Sequence, residues 1–93
     1  MSQTDFTAEE LAEIDRLEAE IVTLTDQMRQ RERGARELME EERPEEGRTF
    51  AKEIFTLRQD KLRLETEIMM RRNKINRIRL GVTVMEPAGA GRP

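Results

Sequence analysis

The sequence lacks the side chains that carry most enzyme and metal chemistry. Its 93 residues include no cysteine and no histidine, which excludes disulfides, thiol nucleophiles, and the commonest general base and metal ligand. Ser2 is the only serine, and no neighbouring His could activate it. Neither a glycine-rich phosphate loop nor a calcium-binding loop occurs. We therefore expect no catalysis, no cofactor, no metal and no small-molecule ligand.

Large aromatic residues and long apolar runs are also scarce. There is no Trp or Tyr, and hydrophobic residues make up 35% of the chain against 40% charged residues, a balance typical of long solvated helices. No apolar run approaches the roughly 20 residues that cross a bilayer, so no membrane contact is expected. The start of the chain, residues 1–5, lacks the basic and apolar regions of a signal peptide. A cytoplasmic location is the resulting expectation.

One hydrophobic repeat runs along the chain, breaks at residues 40–47 and then resumes. Its apolar residues follow alternating three- and four-residue steps, the pattern of a coiled-coil helix face. The pattern predicts an all-α fold of two long antiparallel helices forming a coiled-coil hairpin. We call these residues the seam and interpret it as an assembly surface: Leu11, Ile14, Leu17, Ile21, Leu24, Met28, Leu38, Phe50, Ile54, Leu57, Leu64, Ile68, Ile75 and Ile78.

Capping and breaking residues set the predicted boundaries. Residues 7–10 read Thr-Ala-Glu-Glu, a capping box that starts the first helix. Pro44 and Gly47 end it, either Pro44 or Thr49 begins the second helix, and Gly81 ends that one. Gly34 lies inside the first helix and is interpreted as a tolerated surface glycine, with a kink or a close helix crossing as the alternative. We thus predict an N-terminal arm at 1–6, a helical hairpin at 7–80 and a flexible C-terminal tail at 81–93. Within the hairpin, the helices span about 7–42 and 49–80 and the turn about 43–48.

The charges are sorted along the chain in a way that favours one register. Residues 5–20 are rich in acids, whereas residues 71–79 contain bases and no acid. Folding the chain at its turn brings positions whose numbers sum to about 91 level with each other, so Glu20 is expected beside Arg71. Arg31, Lys61 and Arg71 occupy seam positions. Arg31 and Lys61 should be nearly level, which would bring like charges together unless both side chains reach outward to solvent. The alternative is that a polar seam position sets the register or the oligomeric state.

Two helices with one apolar stripe each leave a core too small for a stable domain of this length. Leu11, at the edge of the seam, and further apolar residues beside it widen the stripe towards other helices: Val22, Met39, Phe55, Leu62, Met69 and Met70. We therefore expect a homo-oligomer, such as a four-helix bundle or larger assembly, or a helical protein partner.

A non-enzymatic scaffold or adaptor is the function that this reasoning favours. The alternative is a nucleic-acid-associated oligomeric subunit, such as a small regulator, in which the basic end of the second helix contacts phosphates or an acidic partner: Arg71, Arg72, Lys74, Arg77 and Arg79. In architecture alone the hairpin resembles the small DNA-packaging subunits of tailed phages, which implies the same alternative. In the tail, residues 80–85 form a short alternating segment. Its Val82, Val84 and Met85 either dock on a partner, as an added strand or a peptide, or belong to a frayed end.

Overall fold

A computed structural model describes residues 6–81 of the chain. Two helices, α1 (Ala8–Glu41) and α2 (Ala51–Leu80), are joined by a short connection that contains a 3-10 turn at Pro44–Glu46. The helices pack against each other along their length, and no strand is present within the described range. The predicted all-α antiparallel hairpin is confirmed. The tail from residue 82 onward, with Val82, Val84 and Met85, lies outside the described residues.

The first helix begins with the predicted capping box. The Thr7 hydroxyl accepts a hydrogen bond from the Glu10 amide at 3.0 Å, and the Glu10 carboxylate accepts one from the Thr7 amide at 3.0 Å. Two of the amides that a helix start leaves without partners are thereby satisfied. The local sequence alone therefore fixes this end of α1.

The turn between the helices is closed by its own backbone. The Arg43 amide donates to the Arg48 carbonyl at 2.8 Å, and the Arg48 amide donates back to the Arg43 carbonyl at 3.0 Å. Between them, Gly47 adopts a left-handed conformation with φ 75°, which side chains other than glycine disfavour. This closed turn reverses the chain and sets the two helices side by side.

The start of α2 differs from the prediction. Pro44 opens the 3-10 turn and Thr49 precedes the cap, whereas the helix itself begins at Ala51 with Phe50 as its N-cap residue. Phe50 has no side-chain oxygen with which to cap, and its amide instead donates to the Glu42 carboxylate at 3.0 Å. The Glu42 carboxylate at the end of α1 therefore accepts a hydrogen bond from the backbone amide of the α2 N-cap residue, and only the folded turn brings the two groups together.

The core is a single row of side chains between the helices. Ile14, Leu17 and Ile75 are buried together and are flanked by Ile21 and Ile78. Near the middle of α2, Leu64 is only 1% exposed. The hairpin therefore depends on few buried residues, as the narrow sequence pattern predicted.

Gly34 is half-buried at the helix contact, which favours the alternative of a close helix crossing over the interpretation as a surface glycine. A methyl group built at Gly34 would lie 3.4 Å from Leu57 Cδ1, an ordinary contact distance. Substitution of Gly34 by Ala should therefore raise the free energy of unfolding by about 0.5–1 kcal/mol, because alanine is the better helix former.

Urea unfolding of Gly34→Ala, with Gly47→Ala as a control, checks this prediction. The control should lower stability by about 1 kcal/mol, because Gly47 has a positive φ that alanine disfavours. A loss of stability in Gly34→Ala would show that the helices cannot accommodate one methyl group at this crossing.

Candidate assembly surface

The structure places the seam at the contact between α1 and α2. Six seam residues are buried: Ile14, Leu17, Ile54, Leu64, Ile68 and Ile75. Seven more are half-buried: Ile21, Leu24, Met28, Leu38, Phe50, Leu57 and Ile78. Leu11 differs from the others, with 49% of its surface exposed. Each half of the seam thus covers the other within one chain, and its use between chains stays a prediction.

Charged residues replace the apolar seam near its middle. Arg31 Nε donates to Asp60 Oδ2 at 2.8 Å, and Lys61 Nζ lies 3.1 Å from Glu32 Oε2. Each cation therefore pairs with the acid beside the other cation in sequence, and Arg31 and Lys61 do not form the like-charge contact expected from register alone. We call Arg31, Glu32, Asp60 and Lys61 the polar layer.

A second ionic contact crosses the helices nearer their open end. Arg71 Nε donates to Glu20 Oε1 at 2.8 Å, and Arg71 Nη1 lies 2.7 Å from Glu67 Oε1 on its own helix. The predicted Glu20–Arg71 pair is confirmed. The hydrogen bonds that Arg71 donates to Glu67 and Glu20 raise the pKa of Arg71, and the hydrogen bond from Arg71 holds the pKa of Glu20 below its ordinary value of 4.5.

These carboxylates make hairpin stability sensitive to acid. The hydrogen bond from Arg31 likewise holds the pKa of Asp60 below its ordinary value of 3.8. A carboxyl group whose pKa falls on folding stabilises the fold above its unfolded pKa, and that stability is lost as pH falls through the folded pKa. We therefore expect the melting temperature to decrease as pH falls below the ordinary values of 4.5 and 3.8.

Thermal melts of the wild type, Glu20→Gln and Asp60→Asn from neutral to acidic pH check this expectation. Each variant should melt below the wild type at neutral pH and approach it in acid, because protonation removes the same interaction from the wild type. A constant difference in melting temperature between wild type and variant at every pH would show that these carboxylates do not cause the acid sensitivity.

The basic end of α2 is largely paired with acids of α1. Arg79 Nη2 lies 2.8 Å from Glu18 Oε2, and Lys74 Nζ lies 3.8 Å from Glu13 Oε2. Together with Arg71, three of the five cations thus have acidic neighbours on α1. Within residues 6–81, Arg72 and Arg77 form no ion pair. They are five residues apart and so point to different sides of α2, which leaves no continuous basic face.

An apolar row lies on the outer face of α2, away from α1. Phe55, Leu62 and Met69 recur every seven residues and are exposed to 63%, 53% and 59%. Seven residues make nearly two helical turns, so the three side chains align on one face. We call this row the α2 stripe. Sequence reasoning grouped these residues with others beside the seam, although the seven-residue spacing already marked them as a separate face.

Charged and neutral residues flank the α2 stripe on opposite sides. Arg58 and Glu65 lie on one flank, and Gln59 and Thr66 on the other, according to helical spacing. Arg58 Nη2 contacts the sulfur of Met39 at 3.1 Å, a weak acceptor. The Glu65 carboxylate lies 3.9 Å from Lys61 Nζ. Neither flanking charge is tightly held within the hairpin.

The described residues contain neither a cluster of metal-ligating side chains nor a membrane-spanning helix. Within residues 6–81, no group of three or more acidic residues is arranged to hold a metal ion, and neither helix is long and apolar enough to span a membrane. Comparisons with family models, curated proteins and solved structures find no match to this chain.

Proposed function

We propose that this protein is a non-enzymatic scaffold or adaptor in the cytoplasm, which associates with helices through the outer face of its hairpin. The observation that carries the proposal is the α2 stripe. The hairpin has closed its seam within one chain, yet three large apolar side chains remain more than half exposed in a row. Exposed apolar residues scattered singly are ordinary, whereas an aligned row is the pattern by which helices recognise each other.

The energetics support association through this row. Complete burial of each large apolar side chain is worth about 1.5–3 kcal/mol. Three such residues along one helix face offset a substantial part of the entropy lost when two proteins associate. A partner helix can pack against them at the usual separation of about 8–10 Å. The cost is lowered further because the stripe residues already lie on a formed helix, α2, so that binding needs no new folding there.

The nucleic-acid alternative is less well supported by the geometry. Phosphate contacts require cations that are available to the ligand, and the acids of α1 already neutralise Arg71, Lys74 and Arg79. The net charge of −3 adds a general repulsion. We therefore assign these three cations a structural role, in which their pairs with the acids of α1 fix the register of the two helices.

Photo-crosslinking in cells tests the proposed function. A photoreactive amino acid replaces Leu62 in the full chain, and a control carries it at Arg29, which is exposed on α1. We expect covalent adducts at Leu62 that are absent or much weaker at Arg29. Equal labelling at the two positions, or none at Leu62, would contradict the proposal.

A further inference from the structure

We infer that the occupant of the α2 stripe is a second copy of this chain, packed antiparallel with a two-fold axis at Leu62. This inference rests on the proposed function, because it assumes that the stripe binds a helix. It identifies which helix that is and in which register it binds.

The spacing of the stripe is symmetric about Leu62. Phe55 lies seven residues before Leu62 and Met69 lies seven residues after it. When two α2 helices pack antiparallel about Leu62, each Phe55 meets the second copy's Met69, and the two Leu62 side chains meet at the axis. All three exposed residues of both copies are then covered by one isologous contact.

The charges beside the stripe are complementary in this same register. Arg58 lies four residues before Leu62 and Glu65 three residues after it, on the same flank of the helix. The two-fold axis brings Arg58 of each copy beside Glu65 of the other, which forms two reciprocal ion pairs. In a parallel two-fold pair this charged flank would instead face the neutral flank of the second copy, so neither ion pair would form.

The other flank presents no opposing charge. Gln59 lies three residues before Leu62 and Thr66 four residues after it, so the axis brings these neutral side chains together. The Thr66 hydroxyl donates to the Leu62 carbonyl at 3.2 Å, which satisfies that donor within the helix. Apolar symmetry, charge complementarity and a neutral second flank thus all select one antiparallel register.

Cysteine crosslinking tests the register, since the natural chain has no cysteine. Oxidation of Leu62→Cys by copper phenanthroline in air should give a disulfide-linked dimer. Phe55→Cys alone should not crosslink, because its two copies would lie about 21 Å apart along the axis, well beyond the roughly 7 Å limit for a disulfide. A mixture of Phe55→Cys and Met69→Cys should crosslink to each other.

Charge exchange provides a second test in the full chain. Arg58→Glu and Glu65→Arg should each raise the dissociation constant of the dimer about tenfold or more, because each variant turns two ion pairs into two repulsions. Their equimolar mixture should recover it as a heterodimer. Circular dichroism at low concentration checks that both variants fold, and Val22→Lys on α1 is a control that should associate like the wild type.

Several results would overturn the inference. Efficient crosslinking of Phe55→Cys with itself would show a parallel or different register, and absence of a Leu62→Cys dimer would exclude the two-fold axis at Leu62.

The mass of the photo-crosslinked adduct distinguishes failure of this inference from failure of the proposed function. Twice the mass of the chain supports the inference, a different mass removes it while the proposed function stands, and no adduct removes both.

Discussion

Replacement of Leu64 by alanine is expected to destabilise the hairpin by about 3 kcal/mol. Leu64 is 1% exposed, and truncation of a fully buried leucine typically costs about 2–5 kcal/mol through lost burial and the cavity left behind. The core is one row of side chains, so few neighbours can move to fill the space. The loss is a large fraction of the stability of a small domain.

Urea unfolding followed by circular dichroism measures this loss. The matched control is Leu62→Ala, the same chemical change two residues away at a position that is 53% exposed. At a concentration where the chain is monomeric, the control should change stability by less than about 0.5 kcal/mol. Equal losses in the two variants would mean that the seam is not the core of the hairpin.

Replacement of both seam cations by leucine should instead stabilise the hairpin. In Arg31→Leu/Lys61→Leu, two half-buried charged side chains give way to apolar residues that match the rest of the seam. The added apolar burial is worth about 2 kcal/mol, which outweighs the loss of two partly exposed ion pairs. Asp60 keeps a partner, since its Oδ1 lies 3.3 Å from Arg63 Nη2. The second expected effect is loss of specificity, because a seam without these two charges permits slipped pairings and mixed assemblies.

Thermal unfolding and light scattering together check both effects. We expect a higher melting temperature than that of the wild type and a broader distribution of masses. Arg63→Leu is the control, because it removes a cation beside Asp60 at an exposed position outside the seam, and it should change neither property. A less stable double variant would show that the polar layer holds the hairpin together instead of selecting its register.

The fold could be predicted from local features of the sequence. The seam repeat predicted both helices, the Thr7–Glu10 capping box fixed the start of α1, and Gly81 marked the end of α2. The register was also accessible, because sorted charges on the two halves placed Glu20 beside Arg71. These features depend on neighbours in sequence or on the simple geometry of a hairpin.

Interactions that exist only after folding escaped prediction. The α2 cap at Phe50 uses the carboxylate of Glu42, eight residues away across a closed turn. The sequence left Gly34 open between a surface glycine and a helix crossing, and the position of Leu57 decides for the crossing. The polar layer also needed atomic geometry, since position alone placed Arg31 near Lys61 and could not show that each reaches an acid beside the other.

The candidate assembly surface was only partly visible in the sequence. The need for further apolar contacts followed from the small core, and Phe55, Leu62 and Met69 were recognised as residues beside the seam. The structure separated them from the seam by showing which apolar residues the partner helix covers. The surface available for association therefore lies on the outer face of α2, whereas the seam is occupied within the chain.

The central claim is that each chain closes its own seam and leaves the α2 stripe to a partner. Electron spin resonance tests it with spin labels at Ala12 and Asn76, introduced as cysteines in the full chain and diluted into excess unlabelled chain. Because helices in contact lie about 8–10 Å apart, the labels should be separated by about 20 Å at every protein concentration. A separation beyond about 50 Å, as expected if the helices opened to pair with those of another chain, would contradict the account.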